Sequence, residues 1–120
     1  MARYVDGFLL VVPKRKIETY RRISNTAGRV WKKYGAVDYV ETVGDDLDTK
    51  MGVPFRRLAR AKAGETVVFS WIVYKSRAHR DRVNKKVMKD PKIAKMMDPK
   101  AMPFDMKRMA FGGFKVVVDL

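Results

Sequence analysis

The chain reads as an α+β domain of order βαββαβ, and three observations carry that reading. Two segments, residues 4–12 and 65–74, are apolar on both faces, two others, 37–43 and 114–118, alternate, and two intervening stretches repeat at the helical period. Strands buried on both sides belong at the centre of a sheet and alternating strands at its edges. That is the burial expected of the split βαβ, or ferredoxin-like, antiparallel sheet of spatial order 4-1-3-2, with two helices on one face.

The first strand is apolar throughout Phe8, Leu9, Leu10, Val11 and Val12, and Pro13 marks its end. From Lys16 to Tyr34, Ile17, Tyr20, Ile23, Ala27, Val30, Trp31 and Tyr34 recur at three- and four-residue steps, which predicts a helix with one buried face stopped by Gly35. Gly28 within it weakens the helix by roughly 1 kcal/mol relative to Ala and reads as a tolerated cost rather than a close approach. The second strand sets Val37, Tyr39, Glu41 and Val43 against Asp38, Val40 and Thr42, and Gly44-Asp45-Asp46 turns it. An excursion from Leu47 to Ala63, with one helical turn at Phe55 to Leu58, leads into the central strand. There Val67, Phe69, Trp71 and Val73 oppose Val68, Ser70, Ile72 and Tyr74. Ser76 caps the second helix, whose inward stripe is His79, Val83 and Val87 with Met88 beside it, and Asp90-Pro91 stops or restarts it. Pro99, Pro103 and Gly112-Gly113 punctuate a long loop before a last strand at Phe114 to Val118.

With 120 residues and 47% hydrophobic content, the chain is long enough for a single domain, 1–120, with one core. It carries 27 Lys and Arg against 13 Asp and Glu, a net charge of +14, which favours anionic partners. Residues 1–40 hold nine cations and three acids, and residues 76–108 hold eleven and four. Each segment contains one helix, so the surplus falls on the helical face. Cysteine is absent, which removes disulfides, thiolate chemistry and Cys-ligated metals. The early apolar run Phe8 to Val12 is too short and wrongly flanked for a signal peptide or membrane span, so a cytoplasmic protein with no membrane association is expected. No Walker loop, dinucleotide fingerprint, HExxH or Ser-His-Asp spacing appears, and neither a cofactor nor a metal is expected. Asp45, Asp46 and Asp48 lack the EF-hand spacing and read as a solvated turn.

Two functional classes fit these residues, and neither fixes whether the chain is an enzyme. In the first, a small hydrophobic molecule lies between the sheet and the helices, near His79 and Trp71, under a loop lid carrying Phe104, Lys107 and Arg108. His79 is the only histidine, and its imidazole titrates near neutrality; its plain reading is structural. Lys107 or Arg108 would hold an anionic group of the ligand. Six of the eight methionines, Met88, Met96, Met97, Met102, Met106 and Met109, fall in the last third, as adaptable packing or as a pliant pocket wall. In the second class, Arg22, Arg29, Lys32, Lys85 and Lys89 neutralise phosphates of a nucleic acid without reading bases, beside the plainer reading of a solvated basic face. Phe69 and Trp71 alternate as base-stacking aromatics do in RNA-recognition domains of this topology, but the basic-Gly lead-in of those domains is out of register in Lys62-Ala63-Gly64-Glu65.

Tyr4-Val5-Asp6-Gly7-Phe8, Gly64-Glu65-Thr66-Val67-Val68-Phe69-Ser70-Trp71, Met102-Pro103-Phe104-Asp105 and Phe111-Gly112-Gly113-Phe114 together resemble the YbaA-like family of uncharacterised bacterial proteins. Asn84-Lys85-Lys86, Asp90-Pro91 and Gly44-Asp45-Asp46 fit the same pattern. The resemblance spans nearly the whole chain and implies a dimeric α+β barrel, in which two sheets close face to face; it implies no activity. A homodimer would cover the apolar face of the central strands that no element of the chain is left to cover.

Overall fold

The computed structural model describes residues 2–120. β1 (Tyr4–Pro13), α1 (Ile17–Lys33), β2 (Asp38–Val43), the single helical turn α2 (Phe55–Leu58), β3 (Glu65–Tyr74), α3 (Arg77–Val87), α4 (Pro91–Met96) and β4 (Ala110–Lys115) follow in that order. The strands form one antiparallel sheet, β2-β3-β1-β4, which is the order the burial pattern predicts. β1 and β3 run against each other over their full length, from Tyr4 opposite Tyr74 to Pro13 opposite Glu65.

Alternation along these two strands divides the core. Leu10, Val12, Val68, Ile72 and Tyr74 are buried in the clusters that Tyr20, Val30, Val83, Val87 and Ile93 complete from the helical layer. The opposite face sets Leu9 against Phe69 and Gly7 against Trp71, with Phe114 across from Val5. Phe69 is 46% exposed there and Phe114 62%. The molecule measures 38 × 37 × 20 Å, and its short axis is the thickness of one sheet and one helical layer. On this face α2 sets the Phe55 ring 5.9 Å from that of Phe69, and Val11 and Val67 are buried at 4% and 2% exposure, so the chain covers one end of the face and leaves the rest open.

Local chemistry sets the helix ends. Ser76 accepts the His79 N–H at 3.1 Å and starts α3, while Asp90 accepts the Lys92 N–H at 2.9 Å with Pro91 in the first turn, so Asp90-Pro91 restarts the helix as α4. Gly35, at φ 113°, ends α1.

Two expectations are corrected. The last strand is Ala110–Lys115, not 114–118; Gly112 and Gly113, which read as loop punctuation, sit within it opposite Gly7 and Asp6. The Tyr4 ring occupies the place where a Gly113 side chain would stand, so a side chain there would have to displace it, and Gly113 serves packing and not a turn. Gly28 is likewise a close approach rather than a tolerated cost. A Cβ there would lie 2.6 Å from the Tyr39 ring, so α1 meets β2 only because this position has no side chain.

Candidate functional site

A cavity of about 360 Å³ lies between the sheet and the helical layer, within the range of small-molecule sites. Its floor is Phe8 and Leu10 of β1, Ser70 to Ile72 of β3, and Tyr39 to Glu41 of β2. α1 supplies Tyr20, Ile23, Ser24, Ala27 and Trp31, one face of the helix at three- and four-residue spacing. All six methionines of the last third line it, as do Phe104 and Phe111. Thioethers on flexible stems make this part of the wall adaptable in shape.

Two polar clusters interrupt the apolar wall. At one, Tyr20 donates its hydroxyl to Glu41 Oε1 at 2.8 Å, and Tyr39 donates to Oε2 at 3.1 Å. Ser24 donates to Oε2 as well. Burial first, and the Glu41 charge second, push both tyrosines well above the usual phenol range, so they remain neutral donors at physiological pH. At the other, Asp6, 1% exposed, receives Arg80 Nη1 at 2.8 Å. Asn84 Oδ1 accepts from Trp31 Nε1 and from the Tyr74 hydroxyl, each at 3.0 Å. Burial raises the Asp6 carboxyl above its ordinary value, and the Arg80 charge opposes that shift. The cavity thus presents an aromatic and thioether body with one carboxylate paired to a guanidinium and one held by hydroxyls.

The residues singled out from the sequence are dispersed. Phe104 is on the wall, its ring edge-on to Tyr20 at 5.7 Å. Trp71 belongs to the floor through β3, but alternation turns its ring to the open face, where it meets Phe69 at 5.7 Å. His79 is not on the wall. As the third residue after the Ser76 cap it stays at the sheet's end, where Nδ1 accepts the Lys75 N–H at 3.0 Å, and the ring meets Tyr74 edge-on. Burial, then the Lys75 and Arg82 charges, lower its pKa. Lys107 and Arg108 are also off the wall. The Arg108 guanidinium is engaged by Glu65 at 2.8 and 2.9 Å and by the Arg60 carbonyl, and Lys107 is exposed. Arg22, Arg29, Lys32, Lys85 and Lys89 are all exposed on α1 and in and just beyond α3, and none forms an ion pair among the described residues.

Asp6, Glu41, Tyr20, Ser24, Tyr39 and Asn84 were not anticipated as site residues. The available signals were Asp6 inside an apolar strand, Glu41 in the same alternating set as Tyr39 in the second strand, and Tyr20 with Ser24 one helical turn apart. Among the described residues no helix is long and apolar enough to cross a membrane.

The fold has solved counterparts. A dimeric ferredoxin-like protein from an uncultured marine organism matches over 100% of both chains at TM-score 0.63 and 12% identity. A putative antibiotic biosynthesis monooxygenase from Bacillus cereus matches over 100% of this chain and 98% of its own, at TM-score 0.58 and 10% identity. At these identities the likeness is one of fold. In sequence, the chain is 40% identical over 117 residues, 98% of each chain, to the uncharacterized protein YbaA of Escherichia coli K12, and equally to that of Shigella flexneri. The model of a family described as proteins of unknown function, DUF1428, matches residues 3–106. The chain therefore belongs to the DUF1428 family.

Proposed function

We propose that this protein binds one small, largely apolar molecule in the cavity between sheet and helices, and does so as a homodimer closed through the open sheet face. The observation that carries the reading is the cavity itself: about 360 Å³ with aromatic and thioether walls and a few convergent polar groups. Dimer closure is supported by the exposed Phe69 and Phe114 on the uncovered face, and by the fold-level neighbour named as dimeric. Trp31 lines the cavity, so in Trp71→Phe, which removes the other tryptophan on the open face, its fluorescence reports occupancy. Titration with naphthylmethanol should give saturable one-site quenching, abolished when Ala27→Phe fills the space. Absence of saturable binding by naphthylmethanol and by its amine and carboxylate analogues alike would overturn the reading.

A second reading has its own support in the five exposed, unpaired cations on the helical layer: sequence-independent nucleic-acid binding dominated by counterion release. Titration of labelled RNA and DNA at rising salt tests it, with affinity expected to fall steeply and equally for all sequences. Selectivity that survives high salt would contradict it.

A further inference from the structure

The two carboxylates on the cavity wall are not equivalent. Asp6 has a guanidinium against it; Glu41, in a chain with more than twice as many cations as acids, has no cation within 4 Å among the described residues. Its partners are three hydroxyls, one on Oε1 and two on Oε2. A carboxylate has about four lone-pair sites, so Oε1 retains one for a further donor. Hydroxyls stabilise the charge without cancelling it, and the surrounding wall is apolar, where an uncompensated charge acts strongly on whatever enters.

The rest of that end of the cavity suits a positive group. Tyr20 and Tyr39 reach the carboxylate through their hydroxyls, Phe104 packs against Tyr20 at 5.7 Å and Trp31 against Tyr39 at 6.0 Å, so this end of the cavity is rich in aromatic rings, whose faces attract ammonium groups. An anionic ligand would meet Glu41 as a like charge. A neutral alcohol could donate to Oε1 but would leave the charge in place.

We infer that the ligand of this cavity is an apolar molecule bearing a protonated amine, with the ammonium on Glu41 and the apolar body under the methionine-rich wall; this rests on the cavity being the binding site proposed above. The +14 surface repels such a ligand at a distance, but that field is screened beyond about 8 Å at physiological salt. The contact at Glu41 therefore governs affinity, and the surface charge governs only arrival. Association of the amine should accordingly speed up as salt rises, the reverse of what a +14 protein shows towards an anion.

The test titrates the full chain with three shape-matched probes, naphthylmethylamine, naphthylmethanol and naphthoate, reading Trp31 quenching in the Trp71→Phe background and stopped-flow association. The expected order is amine tightest, by at least tenfold over the alcohol, with naphthoate weakest. In Glu41→Gln, checked for folding by its melting curve, the amine-to-alcohol ratio should fall to near one. An amine no tighter than the alcohol, or a wild-type association rate that drops with salt, overturns the inference while the cavity reading stands. Retention of the preference in folded Glu41→Gln does the same. Failure of all three probes to bind overturns both.

Discussion

The two faces of the β1–β3 ladder are built from the same kinds of residue and meet opposite fates. Leu10 and Val68 lie under the helical layer at 2% and 1% exposure, whereas one residue away Leu9 is half-buried and Phe69 stands 46% exposed. Both faces are apolar in sequence; the helical layer covers one, while the other is covered within the chain only in part, with Val11 and Val67 at 4% and 2% exposure beside the exposed Phe69. The difference separates residues that hold the fold from residues that the proposed dimer would cover, and it can be broken by substitution.

The largest expected effect is on the covered side. Arg80→Ala strips the guanidinium from Asp6, which is 1% exposed, and should lower unfolding stability by about 3–5 kcal/mol in urea denaturation at neutral pH. Leu10→Ala should follow at about 3 kcal/mol, a transfer and cavity loss that does not change with protein concentration. Its neighbour Leu9→Ala should cost less than about 1.5 kcal/mol in dilute protein and more as concentration rises, because its loss falls on the proposed interface. Phe69→Glu sharpens the point. Sedimentation should show monomer with the circular dichroism of the wild type, and an unchanged dimer would place the contact elsewhere.

The smallest effect is on neither face. Arg108 hydrogen bonds, followed by the Lys62 amide, hold the Glu65 carboxyl down at about 2. A depressed folded pKa contributes stability above the unfolded value, roughly 4.5, that is lost as pH falls through about 2. The wild-type melting temperature should therefore decline between those limits more than that of Glu65→Gln, and parallel curves would show the pair to be inert.

How much of this was legible follows from which period each feature uses. The sheet order could be read because two-sided burial is a property of one strand at a time, in residues 4–12 and 65–74. β4 was displaced because Gly113 looks the same in sequence whether it serves a turn or makes room for the Tyr4 ring. The Glu41 cluster joins a helical pair, Tyr20 and Ser24, to a strand pair, Tyr39 and Glu41. Each pair is visible alone, but the register between helix and strand is a tertiary quantity that no single period contains. His79 failed to reach the cavity for a related reason: its step to Val83 suggests an inward stripe, yet the Ser76 cap fixes it in the first turn, beyond the sheet's centre.

Gly28 carries that lesson to a position with no functional group. The space it leaves is filled by the Tyr39 ring, and the Tyr39 hydroxyl is one of the three that hold Glu41. An added methyl would displace the ring, and with it one donor, without touching the carboxylate or anything bound to it. Mutational sensitivity of the site thus extends to the far side of an aromatic ring, and a screen for lost binding would recover a helix glycine among the acids and phenols.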